Sequence, residues 1–426
     1  MVENVKKLQA FLDQAHSVYH AQAYLVKTLQ EAGYTCLQEK NSWELVPGGK
    51  YYLTRGGSAV LAFRIPQKLT GGFMMSASHS DRPTFKVKEN GELKGTYTRL
   101  ATEKYGGMLM ATWLDRPLSV AGRVLVETDK GVESRLLDID RDLMLIPNVA
   151  IHMNRKANDG FAYNPTTDTI PLLGSKQAEG KFWKLLEEAA GGKILGHDLY
   201  LYVRQKSSVW GVDEEYISSP ALDDLQCAWG CTQGFLAAEE SEAIPVLCVF
   251  DSEEVGSNST QGAASTLLED TLQRICSSLK LNLQQMLAQS FMVSADNAHA
   301  IHPNHPEYAD PNNAPVLGEG VVLKYNAAQK YTTDGVSAAI FRKVCAKAGV
   351  PVQSYYNRAD LPGGSTLGHI SLTHVSVPTA DIGMAQLAMH SCYETASCRD
   401  AGHLENAMKA FYSTCLLEEN GSYLLK

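Results

Sequence analysis

Apolar positions fall at helical spacing over roughly the first 35 residues: Val5, Leu8, Phe11 and Leu12, then Ala21, Tyr24, Leu25 and Leu29. The spacing predicts two amphipathic helices, the second ended near Gly33. From about Trp43 to Phe63 the pattern turns to short β-like runs. Farther along, one unit recurs, in which a short apolar run closes on acidic or histidine residues. Gly72 to Ala77 leads to His79 and Asp81, Ile244 to Phe250 leads to Asp251, Glu253 and Glu254, and Phe291 to Val293 leads to Asp296. Short buried strands that end in polar loops, with helical stretches between them, predict an α/β sheet covered by helices. Sites in such sheets form outside the carboxyl ends of the strands. That rule brings three clusters, distant in sequence, to one place. Residues from about Lys86 to Val212 carry β-like runs without the recurring unit and read as a second domain inserted between two parts of the first.

With 426 residues, 44% of them apolar, the chain can bury more than one core. A net charge of -9 and a charged fraction of 20% leave no footprint for nucleic acid or anionic membrane. No apolar run reaches the ~20 residues of a membrane span. Met1 to Gln14 reads as a helix rather than a signal peptide. The nine cysteines are scattered and several sit in apolar runs, as Cys248 and Cys345 do. Reduced thiols in a cytoplasmic protein fit that usage better than a disulfide framework. Without a CxxC pair, a metal would have to be held by His and carboxylates.

The acidic and histidine clusters are the candidate chemistry. His79 can ligate zinc through a neutral ring nitrogen, and Asp81 can accept the other ring N–H and fix the tautomer. Asp223 and Asp224 are adjacent at the start of a helical stretch, so either is equally a helix cap, and at most one is expected to point into a site. In VFDSEEVGS two glutamates follow a buried strand directly, and Gly256 permits a tight turn. One reading is a solvated acidic turn leading into a helix. The other divides the labour, one Glu as ligand and one as general base. SADNAHAIHPNH holds Asp296, His299, His302 and His305, of which one is expected to ligate. His390, in MHS, reads on its own as an ordinary core or surface histidine. Together the set supplies the five or six ligands that a two-zinc hydrolase needs, roughly, plus a base.

The segments SHSD, YGGMLMATWLDRPLSVAGRV, IPNVAIHMNR, ALDD, DSEEVGS, SADNAHAIHPN and QLAMHS, in this order, resemble the M18 metalloaminopeptidases, the aspartyl aminopeptidase family. The likeness spans nearly the whole chain. It implies an α/β/α sandwich catalytic domain of zinc-peptidase type over 1–85 and 213–426, and a β-rich dimerisation domain inserted at 86–212. It implies two zinc ions per subunit, with Mn or Co as substitutes, held by His79, Asp223 (bridging both), Glu254, Asp296 and His390. Asp81 is then the orienting partner of His79. Glu253 is the general base acting on a metal-bridging water, and His152 reaches a neighbouring subunit's active site. The implied substrates are peptides with a free N-terminus, and the implied assembly is a dodecamer built from dimers. Arg82, Asp224 and the stretch Cys392 to Thr395 depart from the family's pattern; they leave the ligand set intact and bear on the preference for acidic N-terminal residues. Two other readings share the ligands: a di-metal deacylase of small N-acyl substrates, and a catalytically silent assembly or cargo-binding protein.

Overall fold

The computed structural model describes residues 2–426. A nine-stranded sheet forms the centre, and its middle is parallel. The strand Phe73–His79 lies between Ile244–Phe250 and Phe291–Ala295, with Phe250 opposite His79 and Ser294 opposite Ala77. Phe291–Ala295 in turn runs parallel to Thr379–Gly383. All residues of these four strands are buried. Runs such as IPVLCVF show no polar alternation because both faces of the sheet are covered.

One face packs on the helices Val2–Leu12, Val18–Glu31, Leu222–Ala237, Gly335–Lys347 and Cys398–Tyr412. The other packs on Leu267–Leu279, Leu283–Leu287 and Leu367–Ser371. The result is three layers, α/β/α. Leu222–Ala237 is nearly all buried and crosses Cys398–Tyr412 closely. A Cβ on Gly230 would lie 2.4 Å from the Leu404 side chain, and one on Gly234 would lie 2.5 Å from Met408 Cβ. The absence of those side chains lets the two helices meet, which fixes where Asp223 enters.

The middle of the chain builds a six-stranded antiparallel sheet from Thr84–Leu93 to Ile194–Val203, with its own core and the helix Lys181–Ala190. The pairing of this sheet ends at Val203 rather than near 212. Ser208–Trp210 pairs instead with Tyr216–Ser219, in a five-stranded sheet that also holds Glu394–Ser397 and Ala385–Leu387. The reason is local: Ser208 to Trp210 finds its hydrogen-bonding edge on the far side of the turn at 211–215.

Candidate metal centre

The parallel strands end side by side, so His79, Glu253, Glu254 and Asp296 emerge at one edge of the sheet. Asp223 arrives from the first turn of its helix, where Asp223 and Asp224 depart from helical backbone angles and the peptide between them is cis. His390 arrives on a loop, at φ 66°. His79 Nε2 stands 3.6 Å from Asp223 Oδ1. His390 Nε2 stands 3.4 Å from both Asp223 Oδ2 and Glu254 Oε2. Atoms of His79, Asp223 and Glu254 fall within 4.8 Å of one another, and so do atoms of Asp223, Asp224 and Asp296. Asp223 is common to both groups.

Asp81 lies beside the His79 ring. Its backbone carbonyl is 3.2 Å and its Oδ1 is 3.3 Å from His79 Nδ1. The same carboxylate accepts the N–H of Glu253 at 3.1 Å and of Glu254 at 3.2 Å. Asp224 corrects an expectation. Both carboxylates of the Asp223–Asp224 pair face the cluster, and Asp224 also accepts the His79 N–H at 3.2 Å. The non-helical angles at both positions allow what a regular helix would prevent. His152 sits exposed in the turn at 151–153.

Two residues the sequence reading missed complete the surroundings. Glu394, fully buried, accepts the N–H of Asp223 at 2.9 Å and of His390 at 2.7 Å. Lys324, also buried, donates to the carbonyls of Asp296 at 2.6 Å and Asn297 at 3.3 Å. The only available signal was a charged residue inside an apolar run, VVLKY for Lys324. Of the other histidines in SADNAHAIHPNH, His299, His302 and His305 line a cleft of about 320 Å³ with Tyr308, Tyr355 and Arg358. Gln386 to Ala388, just ahead of His390, close its other side.

The electrostatics of the cluster suit it to cations. Burial drives the carboxyls of Glu254 and Asp224 well above their usual range, and the neighbouring Asp223 charge adds to this. Burial also pushes Glu253 up to about 8, against the pull of His79 and with repulsion from Asp296. Asp296 rises to about 6 through burial, partly offset by Lys324. Asp223 runs the other way: burial would raise it, but the imidazoles of His390 and His79 hold it below the usual carboxylate range. Asp223 Oδ1, Asp224 Oδ1 and Glu254 Oε1 are buried with no hydrogen-bond partner among the described residues. Such oxygens are costly to bury unless a cation faces them. Hard and borderline divalent metals take such oxygens together with imidazole, and zinc fits this donor set.

Histidine and carboxylates gathered outside the ends of parallel strands, in a three-layer α/β/α unit, define a metal-dependent hydrolase. The family model of Aminopeptidase I zinc metalloprotease (M18) matches residues 11–412. The chain is 41% identical to the probable M18 family aminopeptidase 2 of Clostridium acetobutylicum, over 97% of this chain and 99% of that one. Its fold matches the structure of the Ape4 and Nbr1 complex with TM-score 0.93 and 34% identity, over 96% of this chain and 85% of that chain. It matches the S. cerevisiae mApe1 dodecamer with TM-score 0.84 and 25% identity, over 96% of each chain. The chain therefore belongs to the M18 zinc metalloprotease family and is a metalloaminopeptidase.

Proposed function

We propose a di-zinc aminopeptidase that removes single residues from the free N-terminus of peptides, with acidic N-terminal residues as its preferred class. The observation that carries this reading is Asp223, shared by two overlapping ligand groups whose outward oxygens lack partners. His79, Asp223, Glu254, Asp296 and His390 would hold the zinc. Bound zinc would supply an acidified water and a polarised scissile carbonyl. Glu253 belongs to neither ligand group, which leaves its carboxylate free to take a proton from the attacking water and return it to the leaving amine. Asp81 fixes the His79 ring and the start of the Glu253 turn.

The same reading covers the assembly. The inserted unit, taken as residues 86–212, would form dimers, and dimers a dodecamer; the related mApe1 structure is a dodecamer. The exposed side chains of Val149, Ile151 and Met153 around His152 support a subunit contact there. His152 of one subunit would then reach the active site of its neighbour. All nine cysteines are free and eight are buried, which suits the reducing cytoplasm. No helix of the described residues is long and apolar enough to cross a membrane.

The test strips the protein with a chelator, restores Zn, Mn or Co, and assays peptides that differ in their first residue, each free and N-acetylated. Release of single residues from free peptides, fastest with Asp or Glu first, is the expected result. Faster turnover of the N-acyl compounds would instead make the protein a deacylase.

A further inference from the structure

The strand Tyr97–Tyr105 belongs to the inserted sheet, yet the residues at its end lie against the metal-site loops of the same chain. The Tyr105 hydroxyl donates to Asp81 Oδ2 at 2.7 Å. Asp81 Oδ2 also accepts the Glu254 N–H, and Oδ1 accepts the Glu253 N–H. Gly106 follows at φ 74°, and a Cβ there would stand 3.1 Å from Glu254 Cβ and 3.3 Å from the Glu254 carbonyl. A Cβ on Gly107 would be 3.8 Å from His390 Nδ1. The Leu109 N–H donates to the His390 carbonyl at 3.0 Å, and Thr112 Oγ1 accepts the Cys392 N–H at 3.0 Å. One short segment of the inserted unit thus braces both the Glu253–Glu254 turn and the His390 loop.

We infer that Tyr105 is a positioning residue for the hydrolytic site, and that the inserted unit organises the metal centre of its own subunit through it. This rests on the reading of Glu253 as base and Glu254 as ligand. The Asp81 carboxylate is held by the Tyr105 hydroxyl, by the two main-chain N–H groups of the glutamate turn and, at 3.3 Å, by the His79 ring. With the Tyr105 hydroxyl removed, only partners inside the metal-site cluster remain on it, the glutamate-turn N–H groups and the His79 ring. The carboxylate, the turn and the His79 ring can then shift together, with no tie to the inserted sheet to fix their place. Partners that orient a metal's ligands in this way typically cost roughly 10–100-fold in metal affinity or activity when lost. The Tyr105 ring packs edge-on against Tyr200, with centroids 5.6 Å apart, so a phenylalanine keeps its seat and only the hydrogen bond is deleted.

The experiment compares full-length wild type, Tyr105→Phe and Tyr105→Leu. It reads the concentration of a competing chelator that removes half the zinc, kcat and KM on an unblocked peptide, the sedimenting species and the thermal midpoint. For Tyr105→Phe the half-stripping concentration should fall about tenfold or more and kcat about tenfold, with KM moving less than twofold and the assembly unchanged. Tyr105→Leu should show the same zinc and kcat losses with a lower midpoint added. If Tyr105→Phe matches wild type and only Tyr105→Leu is impaired, ring packing alone is at work and the inference is overturned. Glu253→Gln is run in parallel to keep the two readings apart. Should Glu253→Gln stay fully active, the assignment of the base fails, while the zinc retention of Tyr105→Phe still decides the inference either way.

Discussion

Asp81 and Glu253 are tied through the main chain: Asp81 Oδ1 accepts the Glu253 N–H at 3.1 Å. That bond pins the first residue of the turn after the strand Ile244–Phe250, where Ser252 takes φ 66° and Gly256 φ 94°. Glu253 and Glu254 leave such a turn in different directions, so one can ligate while its neighbour stays free.

Glu253→Gln should therefore keep its zinc. Turnover should fall by ~10²–10⁴-fold, the usual contribution of a general base. Zinc analysis beside kcat checks both halves. Loss of zinc from this variant would mean that Glu253, not Glu254, is the ligand.

Asp223→Ala should cost nearly all bound zinc, because both ligand groups share Asp223. Asp224→Ala should also weaken zinc binding and lower stability, because it strips a buried acceptor from the His79 N–H. An orphaned buried donor costs about 1–3 kcal/mol. Asp224→Asn keeps an oxygen for that N–H and should retain zinc better than Asp224→Ala. Equal zinc retention by Asp224→Ala and wild type would remove Asp224 from the site.

The metal-free protein should lose stability as pH rises from about 4.5 to about 8. Burial raises Glu394 and Glu253 from 4.5 to about 8 in the folded state. Between the two values the folded chain holds protons that the unfolded chain has released, so stability falls with pH, by about 1.4 kcal/mol per pH unit for each fully retained proton. Zinc places positive charge beside these groups and should flatten the slope. Thermal midpoints at pH 5.5 and 8, with and without zinc, provide the check; a metal-free midpoint that rises over this interval would contradict it.

In a neighbouring subunit's site the ring N–H of His152 would donate to the oxyanion formed from the scissile carbonyl, so His152→Ala should lower turnover ~10²–10³-fold, the usual worth of one such donor, while leaving zinc content and thermal midpoint nearly unchanged. Exchange of His152→Ala subunits with Glu253→Gln subunits should restore part of the activity, since some sites would pair an intact base with an intact partner histidine. Mixed particles without recovered activity would confine His152 to its own subunit or to no catalytic role.

The sequence by itself determined the local chemistry and the kind of sheet. Runs such as IPVLCVF, short and β-branched, read as strands covered on both faces, and an acidic or histidine cluster after each run puts His79, Glu253, Glu254 and Asp296 at the same end of a parallel sheet. Ordered strings across the chain also carried the family resemblance. Tertiary structure decided what depends on contacts between distant segments. Asp224 joined the site because the helix start is non-helical at both aspartates, a backbone departure that helix periodicity does not encode. Glu394 became a buried clamp on Asp223 and His390 because the five-stranded sheet brings 394 beside 219, a pairing 175 residues apart and invisible to spacing. Tyr105 met Asp81 for the same reason: a hydroxyl at the end of an ordinary amphipathic strand acquires a partner only when two sheets are set against each other.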